Sequence, residues 1–260
     1  MSGPARAVAM FAGVLVALAV AVLALFFFAQ RSLVYFPQYT RVAAAGTDYA
    51  LARGDATLRG WVVNPGAAGG PILYFGGNAE AVEGNREAFA RLFPGRSVYL
   101  VAYRGYGASD GTPSQPALFA DALALHDDIT ARHPGQRVSV IGRSLGSGVA
   151  AHLASQRPLA ALALVTPFDS LAAVGAAHYP WLPVRWLLRE RYDSVAHLRG
   201  YRGPLLVVRA GRDAVVPPAN TDRLLAGLPA HTQVVDLPEA DHDLGGAGKA
   251  YGEALARFFR

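Results

Sequence analysis

The 260-residue sequence has no cysteine, only two methionines and a single lysine, Lys249. Without cysteine these residues form no disulfide, cysteine–zinc site or iron–sulfur cluster, and a thiol nucleophile is excluded. Charged residues are also scarce, at 17%, whereas hydrophobic residues make up 52%. This balance excludes a disordered tail protein, a coiled coil and a collagen-like repeat.

The net charge is +5, and nearly all of the basic residues are arginines. They are scattered along the chain and form no basic run, so we expect no nucleic-acid partner. Attraction to anionic lipid is the more plausible consequence of this charge.

One long apolar run, residues 7–29, carries no charge, and Arg6 and Arg31 bracket it. As a helix it would be about 34 Å long, enough to cross a bilayer core of about 30 Å. Residues 1–31 are therefore predicted to be a single membrane anchor and residues 32–260 the folded domain. Basic residues on both sides leave the orientation in the membrane open.

A cleaved signal peptide is the alternative interpretation of this run. Its apolar region would be shorter, about 7–15 residues, and cleavage requires small residues at two positions. Cleavage after Ala29 would put Phe27 where a small side chain is required. Tyr35, Phe36 and Tyr39 follow the run, where aromatic side chains would sit at the membrane interface.

The rest of the chain alternates between short apolar runs and longer helical patterns, which predicts a mostly parallel sheet with helices on both faces. The predicted strands are 57–63, 72–75, 97–103, 137–141, 159–165, 205–209 and 232–237. The predicted helices are 86–93, 117–133, 145–156, 220–225 and 248–259. Residues 171–197 break the alternation and are predicted to be a small cap insertion.

Two segments match the nucleophile motif G-x-S-x-G, one centred on Ser109 and one on Ser144. The motif requires a strand that ends at its first glycine and a helix that begins after the serine. Ser144 has both, since RVSVI precedes its motif and LGSGVAAHLASQ follows the serine. Ser109 lies in a glycine-broken loop followed by two prolines, so we assign the nucleophile to Ser144.

A serine nucleophile needs a base and an acid that orients the base. His242 is the candidate base because it follows the last predicted strand, where the loop returns to the carboxyl edge of the sheet. Asp213 is the candidate acid because it follows the strand LLVVR, and Asp169 is the alternative. The order Ser144, Asp213, His242 is that of α/β-hydrolases.

An oxyanion hole needs backbone N–H groups at the developing negative charge. The Leu145 amide follows the nucleophile directly, and the second donor is expected in the loop 76–80, at Asn78. The sequence does not identify substrate-binding residues. Asp241, His242 and Asp243 could touch a metal, but adjacent side chains point apart, so we predict no metal site.

The chain resembles membrane-anchored α/β-hydrolases of the Bem46 type, related to α/β-hydrolase domain proteins 13 and 17. The matching segments, in order, are SLVYFP (32–37), GNA (77–79), YRGYGASDGTPS (103–114), GRSLG (142–146), TPFDS (166–170), YDS (192–194), the loop of Asp213, and His242. The resemblance covers the whole chain and implies a serine hydrolase with the triad Ser144, Asp213 and His242. In this family the oxyanion loop usually reads His-Gly-Asn, whereas Gly76 replaces the histidine here.

The sequence thus predicts a membrane-anchored serine hydrolase that cleaves a carboxylic ester or thioester through an acyl-enzyme, and the anchor and the aromatic cap suggest a lipidic or acyl substrate. No cofactor is required, because water releases the acid. Two alternatives remain: peptide hydrolysis or acyl transfer on the same triad, and a catalytically inactive hydrolase fold that serves as an interaction module.

Overall fold

One eight-stranded sheet forms the centre of the protein in the computed structural model, which describes residues 3–260. The strands are β1 (Tyr49–Arg53), β2 (Ala56–Val63), β3 (Gly69–Phe75), β4 (Arg96–Val101), β5 (Ser139–Arg143), β6 (Leu162–Val165), β7 (Leu205–Ala210) and β8 (Gln233–Leu237). Their spatial order is β1-β2-β4-β3-β5-β6-β7-β8. The pairs β1–β2 and β2–β4 are antiparallel, and all further neighbours are parallel.

Nine α-helices accompany this sheet in the described part of the chain. They are α1 (Gly3–Val34), α2 (Arg86–Leu92), α3 (Gln115–Arg132), α4 (Leu145–Gln156), α5 (Leu171–His178), α6 (Val184–Leu187), α7 (Ser194–Leu198), α8 (Pro218–Ala226) and α9 (Gly248–Phe258). The predicted mostly parallel sheet is confirmed. The prediction missed β1, because the sequence YALAR is short and ends on a charge.

The central strands are buried along their length, which requires cover on both faces of the sheet. Every residue of β6 is buried, and so are four of the five residues of β5. Helix α4 packs against β5 and also contacts α3 and α7, whereas α2 packs against α9. These two groups of helices enclose the core. The carboxyl ends of the parallel strands therefore meet at one edge, where loops can present polar side chains.

Helix α1 is long and apolar enough to cross a membrane, and a signal sequence has the same character. Within the span from Arg6 to Tyr39, an 18-residue window has a mean hydropathy of 2.9, and no part of this window is buried against the domain. The expectation that Tyr35 lies at a membrane interface is wrong. Tyr35 is only 3% exposed, because its hydroxyl lies between Glu190 and Tyr192. Of the three aromatic residues after the run, Tyr39 is the one that is largely exposed.

The segment 171–197, predicted as a cap, contains α5 and α6 and the first turn of α7. Ser170 caps α5 by accepting a hydrogen bond from the Ala173 amide, as N-terminal serines commonly do. Helix α6 contacts the C-terminal part of α1. Helix α7 packs instead on α4, so the end of this segment joins the helical layer of the domain.

Two histidines are packed between α3, α4 and α7. The ring of His152 stacks on Phe119 with centroids 3.8 Å apart, and His197 meets His152 edge-on at 4.9 Å. Burial, with a smaller contribution from the neighbouring His197, lowers the pKa of His152 to about 4. Burial also lowers the pKa of His197, against the opposing effect of Asp193.

Acid should therefore destabilise the fold through His152. The unfolded chain takes up this proton near the ordinary histidine pKa of about 6.5, whereas the folded protein takes it up only near pH 4. Between these values the unfolded state binds more protons, so the free energy of unfolding should fall as the pH falls. Above pH 6.5 this contribution is fully present.

Urea unfolding in detergent at pH 7.5 and pH 5 measures this effect. The His152→Gln variant should lose less stability between the two pH values than the wild type does. His231→Gln, at an exposed position, serves as the control and should keep the wild-type pH dependence. Equal losses in wild type and His152→Gln would contradict the prediction.

Candidate active site

Ser144 lies at the tight turn between β5 and α4. Its backbone has φ 50° and ψ −118°, a region that residues other than glycine rarely adopt. Such strain is typical of a nucleophile elbow, which raises the serine above the sheet edge. The strand before Ser144 and the helix after it are those predicted from the sequence.

Gly146 allows the turn at Ser144 to lie close against the end of β3. A Cβ atom at this residue would lie 2.1 Å from the carbonyl oxygen of Phe75, at the end of β3. Since this neighbour is backbone, it has little freedom to move. The start of α4 therefore packs directly against the end of β3, and only glycine fits the contact.

Ser144, His242 and Asp213 form a continuous chain of hydrogen bonds. Nε2 of His242 lies 2.9 Å from the Ser144 Oγ, and Nδ1 of His242 lies 2.8 Å from Oδ2 of Asp213. A carboxylate only accepts hydrogen bonds, so Nδ1 carries the proton and donates to Asp213. Nε2 is then the acceptor that faces the serine hydroxyl.

Asp213 is held in this position by its own loop. Its Oδ1 accepts hydrogen bonds from the backbone amides of Val215 and Val216, at 2.9 and 2.7 Å. The residue is 5% exposed. One carboxylate oxygen is thus fixed by backbone, and the other is aimed at His242.

The alternative acid, Asp169, makes a different set of contacts. Its Oδ1 accepts from the Asn220 amide group at 2.8 Å, and its Oδ2 accepts from Arg223 at 2.6 Å. The Ser170 amide also donates to it. Asp169 thereby ties the end of β6 to α8, and the structure does not bring it to His242.

The other motif serine, Ser109, is buried, with 1% of its surface exposed. Its hydroxyl donates to the Ala102 carbonyl at 2.8 Å and accepts from the Arg59 amide at 2.8 Å. The contact with Arg59 fastens the loop after β4 to β2, and the contact with Ala102 lies within this loop. Ser109 lies in a loop, as the sequence predicts.

The two predicted oxyanion donors line a small chamber together with Ser144. This chamber has a volume of about 110 Å³, and Asn78 and Leu145 form part of its wall. Leu145 is the first residue of α4, so its amide has no partner within the helix. In the loop after β3, the Gly77 amide donates to Glu80 at 2.7 Å. Among residues 3–260, no protein acceptor takes the next amide, that of Asn78.

Gly76 stands where the Bem46-type hydrolases that the sequence resembles usually have histidine, and its position is fixed by other contacts. A Cβ atom at this residue would lie 2.7 Å from a methyl carbon of Val82, so a side chain does not fit without rearrangement. The Tyr103 hydroxyl donates to the Gly76 carbonyl at 2.8 Å. The loop thus has a defined place despite the missing histidine.

Glu80 and Arg143 link the three loops around Ser144. Oε2 of Glu80 accepts from the Gly77 amide at 2.7 Å and from Arg143 at 3.0 Å. Arg143 also donates to the Asp243 carboxylate at 2.9 Å and to the His242 carbonyl at 3.4 Å. The oxyanion loop, the elbow and the histidine loop therefore share one charged pair.

This pair is largely shielded from water. Its side chains are 12% and 18% exposed, for Glu80 and Arg143 respectively. Burial is the largest single effect and would lower the pKa of Arg143, but Glu80, Tyr74 and Tyr251 together outweigh it and hold the pKa above the ordinary value. Oε1 of Glu80 accepts from Tyr74 and Asn85, both at 2.6 Å. No role for Glu80 or Arg143 was predicted from the sequence. The charged residue inside the motif G-R-S-L-G is the signal that could have indicated a role for Arg143.

Replacing Glu80 by glutamine should impair the site without unfolding the domain. A glutamine keeps one acceptor oxygen but puts an NH2 donor in place of the other, where it opposes either Gly77 and Arg143 or Tyr74 and Asn85. The oxyanion loop should therefore lose its fixed position. Misplacing such donors costs on the order of 10²-fold in rate. We expect kcat for a small ester to fall by this factor with little change in KM.

Glu83→Gln, in the same loop, is the matched control and should behave as the wild type. Arg143→Gln combined with Glu80→Gln should cost less than the product of the two single effects, because both act through one pair. Two results together would contradict a positioning role. One is that Glu80→Gln lowers thermal stability in step with kcat, and the other is that the effects of Glu80→Gln and Arg143→Gln on kcat simply multiply in the double variant.

Comparison with known proteins agrees with this architecture. The profile of the alpha/beta hydrolase fold matches residues 70–194, which include the elbow. The uncharacterized protein Rv2307c of Mycobacterium tuberculosis is 39% identical over 230 residues, which cover 82% of this chain and 80% of that protein. The chain belongs to the alpha/beta hydrolase family.

One further relative and one structural neighbour carry functional descriptions. The rat lysophosphatidylserine lipase ABHD12 is 31% identical over 167 residues, which cover 56% of this chain but only 42% of the lipase. The Pyrococcus furiosus esterase Pf2001 superposes with a TM-score of 0.67 at 16% identity, over 81% of this chain and 90% of the esterase. At this identity the esterase shows the fold alone.

Proposed function

We propose that this alpha/beta hydrolase is a membrane-anchored serine hydrolase that cleaves a carboxylic ester or thioester through an acyl-enzyme. The observation that carries the proposal is the hydrogen-bond chain from Ser144 through His242 to Asp213. It begins at a strained serine, next to two backbone amides at the wall of one chamber. Acyl transfer is the chemistry that uses these groups together.

In the proposed reaction the Ser144 Oγ attacks the acyl carbonyl while Nε2 of His242 takes its proton. The negative charge that develops on the carbonyl oxygen is stabilised by the amides of Leu145 and Asn78. The imidazolium then gives its proton to the departing alcohol or thiol. Asp213 stabilises the charged imidazole and holds its tautomer. A water molecule, activated by His242, hydrolyses the acyl-enzyme and regenerates Ser144.

An ester or thioester is favoured over a peptide by the apolar surroundings of Ser144. Phe168, Val215 and Val216 line the chamber beside the serine. Such walls suit an acyl chain better than the polar backbone of a peptide. The lipase activity named for the relative ABHD12 supports an ester substrate.

Within the family, we propose that the chain is of the Bem46 type. The motifs that carry this resemblance converge on the site, since SLVYFP borders the oxyanion loop and GRSLG forms the elbow. The Phe36 amide donates to the Asn78 carbonyl at 3.3 Å, and the Asn78 side chain donates to the Val34 carbonyl at 2.9 Å. These contacts link the segment after the apolar run directly to the oxyanion loop, which supports the proposal.

Pre-steady-state kinetics with p-nitrophenyl acetate tests the proposed reaction. An acyl-enzyme predicts a burst of p-nitrophenol close to one equivalent per enzyme, followed by slower turnover. A panel of matched ester, thioester and amide substrates then ranks the alternatives. The absence of both a burst and turnover in folded protein would favour the inactive interaction module, and amide turnover above ester turnover would favour a peptidase.

The anchor is tested by fractionation of cells that express the full chain. The uncharged run 7–29 should keep the protein in the membrane fraction through alkaline carbonate extraction. Its N-terminus should remain upstream of this run. A membrane-free protein that begins at Gln30 would identify a cleaved signal sequence instead.

A further inference from the structure

A second, larger cavity lies between α1 and the cap. Its volume is about 410 Å³, and its walls are almost entirely apolar. Phe26 and Leu33 line it from α1, and Leu182, Leu187 and Leu188 line it from the cap. None of these residues belongs to the hydrogen-bond chain of Ser144.

This cavity adjoins the chamber of Ser144. Leu33, Val34, Leu171 and Val174 line both spaces, so they form the boundary between them. Two of these residues come from α1 and two from α5. An extended group attached at Ser144 would have to pass between α1 and α5 to reach the larger cavity.

The wall contributed by α1 is fastened to the cap by polar contacts. Glu190, in the cap, is 2% exposed and accepts from Arg31 at 3.0 Å and from the Tyr35 hydroxyl at 2.6 Å. The Gln30 side chain accepts from the Arg189 amide at 2.7 Å. A buried carboxylate with several donors is costly to separate from them. The cavity is therefore a formed feature of the fold.

Aromatic side chains of the cap flank this cavity and are exposed to solvent. Trp181 is 70% exposed and Trp186 is 87% exposed, and both lie close in sequence to lining residues. Exposed tryptophans beside an apolar helix are typical of a membrane–water interface. If α1 enters a bilayer, these two tryptophans are suited to lie at its surface.

We propose that the cavity binds the acyl chain of the substrate, with α1 as one of its walls. The inference rests on the proposed function and specifies it: the substrate class is esters or thioesters of acyl chains long enough to pass the four boundary residues. The anchor helix is then part of the acyl-binding site as well as a membrane attachment. Each methylene buried there contributes about fourfold to binding.

The test compares kcat/KM for p-nitrophenyl decanoate and p-nitrophenyl acetate in the full-length protein in detergent. The wild type should prefer decanoate. Leu188→Trp fills the cavity from the cap and Leu33→Trp fills it from α1, so each should lower the decanoate-to-acetate ratio about tenfold or more. The controls, Arg185→Trp on α6 and Phe28→Trp on an exposed position of α1, should keep the wild-type ratio.

The ratio separates failure of this inference from failure of the proposed function. Wild-type protein that hydrolyses neither ester and shows no burst would overturn the proposed function. Hydrolysis with a ratio that is the same in Leu188→Trp, Leu33→Trp and both controls would overturn the acyl site. A ratio lowered by Leu188→Trp but not by Leu33→Trp would overturn the role of α1 as a wall.

The acyl chain could come from a lipid or from an acylated protein. A decanoyl lysophospholipid in vesicles and an S-decanoyl peptide in solution distinguish these sources. The cavity predicts that both are cleaved with the same sensitivity to Leu188→Trp, and the larger kcat/KM identifies the source. Insensitivity of both to this substitution would contradict the assignment.

Discussion

Ser144→Ala should abolish ester hydrolysis and covalent labelling by a fluorophosphonate probe. The hydroxyl at Ser144 is 2.9 Å from its base, at the strained turn between β5 and α4. Loss of a nucleophile of this kind costs about 10⁶-fold in kcat. The small remaining rate should reflect direct attack of water on a substrate that is bound in the chamber and stabilised by the oxyanion amides.

Ser109→Ala is the matched control, since it changes the other G-x-S-x-G motif. It removes a buried hydroxyl that ties the loop after β4 to β2, so it should cost stability but keep the label. Labelling that persists in Ser144→Ala and disappears in folded Ser109→Ala would reverse the assignment of the nucleophile.

Asp213→Asn should reduce kcat by about 10⁴-fold, the effect of the same change in related triads. The asparagine can turn its amide N–H toward Nδ1 of His242, which favours the wrong tautomer and leaves no proton acceptor at Nε2. The backbone amides of Val215 and Val216 hold Oδ1 of the present carboxylate. The protein should remain folded, because the substitution preserves the shape of the side chain.

Asp169→Asn provides the opposing case. Its carboxylate pairs with Arg223 and Asn220, so the variant should lose stability while retaining most of its kcat. A folded Asp169→Asn protein with crippled turnover, beside an active Asp213→Asn protein, would place the acid after β6.

The sequence was informative where local pattern decides structure. The apolar strand before Ser144 and the small-residue helix after it follow from periodicity alone, and the fold class is confirmed. The order of Ser144, Asp213 and His242 follows from the same strand boundaries. Each of these residues follows a parallel strand, and the carboxyl ends of these strands lie at one edge of the sheet. This placement was enough to predict that the three side chains meet.

Contacts between distant segments could not be predicted in this way. Tyr35 is buried because its hydroxyl donates a hydrogen bond to Glu190, which is 155 residues away in the sequence. Arg143 and Glu80 join three loops that no periodic pattern relates. Local sequence also gave no indication that Leu33 and Val34 form part of the chamber wall.

Peptide mapping of a trapped acyl-enzyme tests the central claim most directly. The full-length protein is mixed with p-nitrophenyl decanoate, quenched in acid during the burst and digested with trypsin. Trypsin cleaves after Arg143 and Arg185 but not after Arg157, because Pro158 follows it, so residues 144–185 should be released as one peptide. Fragment ions should place one decanoyl group on Ser144 and none on Ser147, Ser155 or Ser170. A decanoyl group on another residue, or hydrolysis that proceeds with no acylated peptide, would contradict the account.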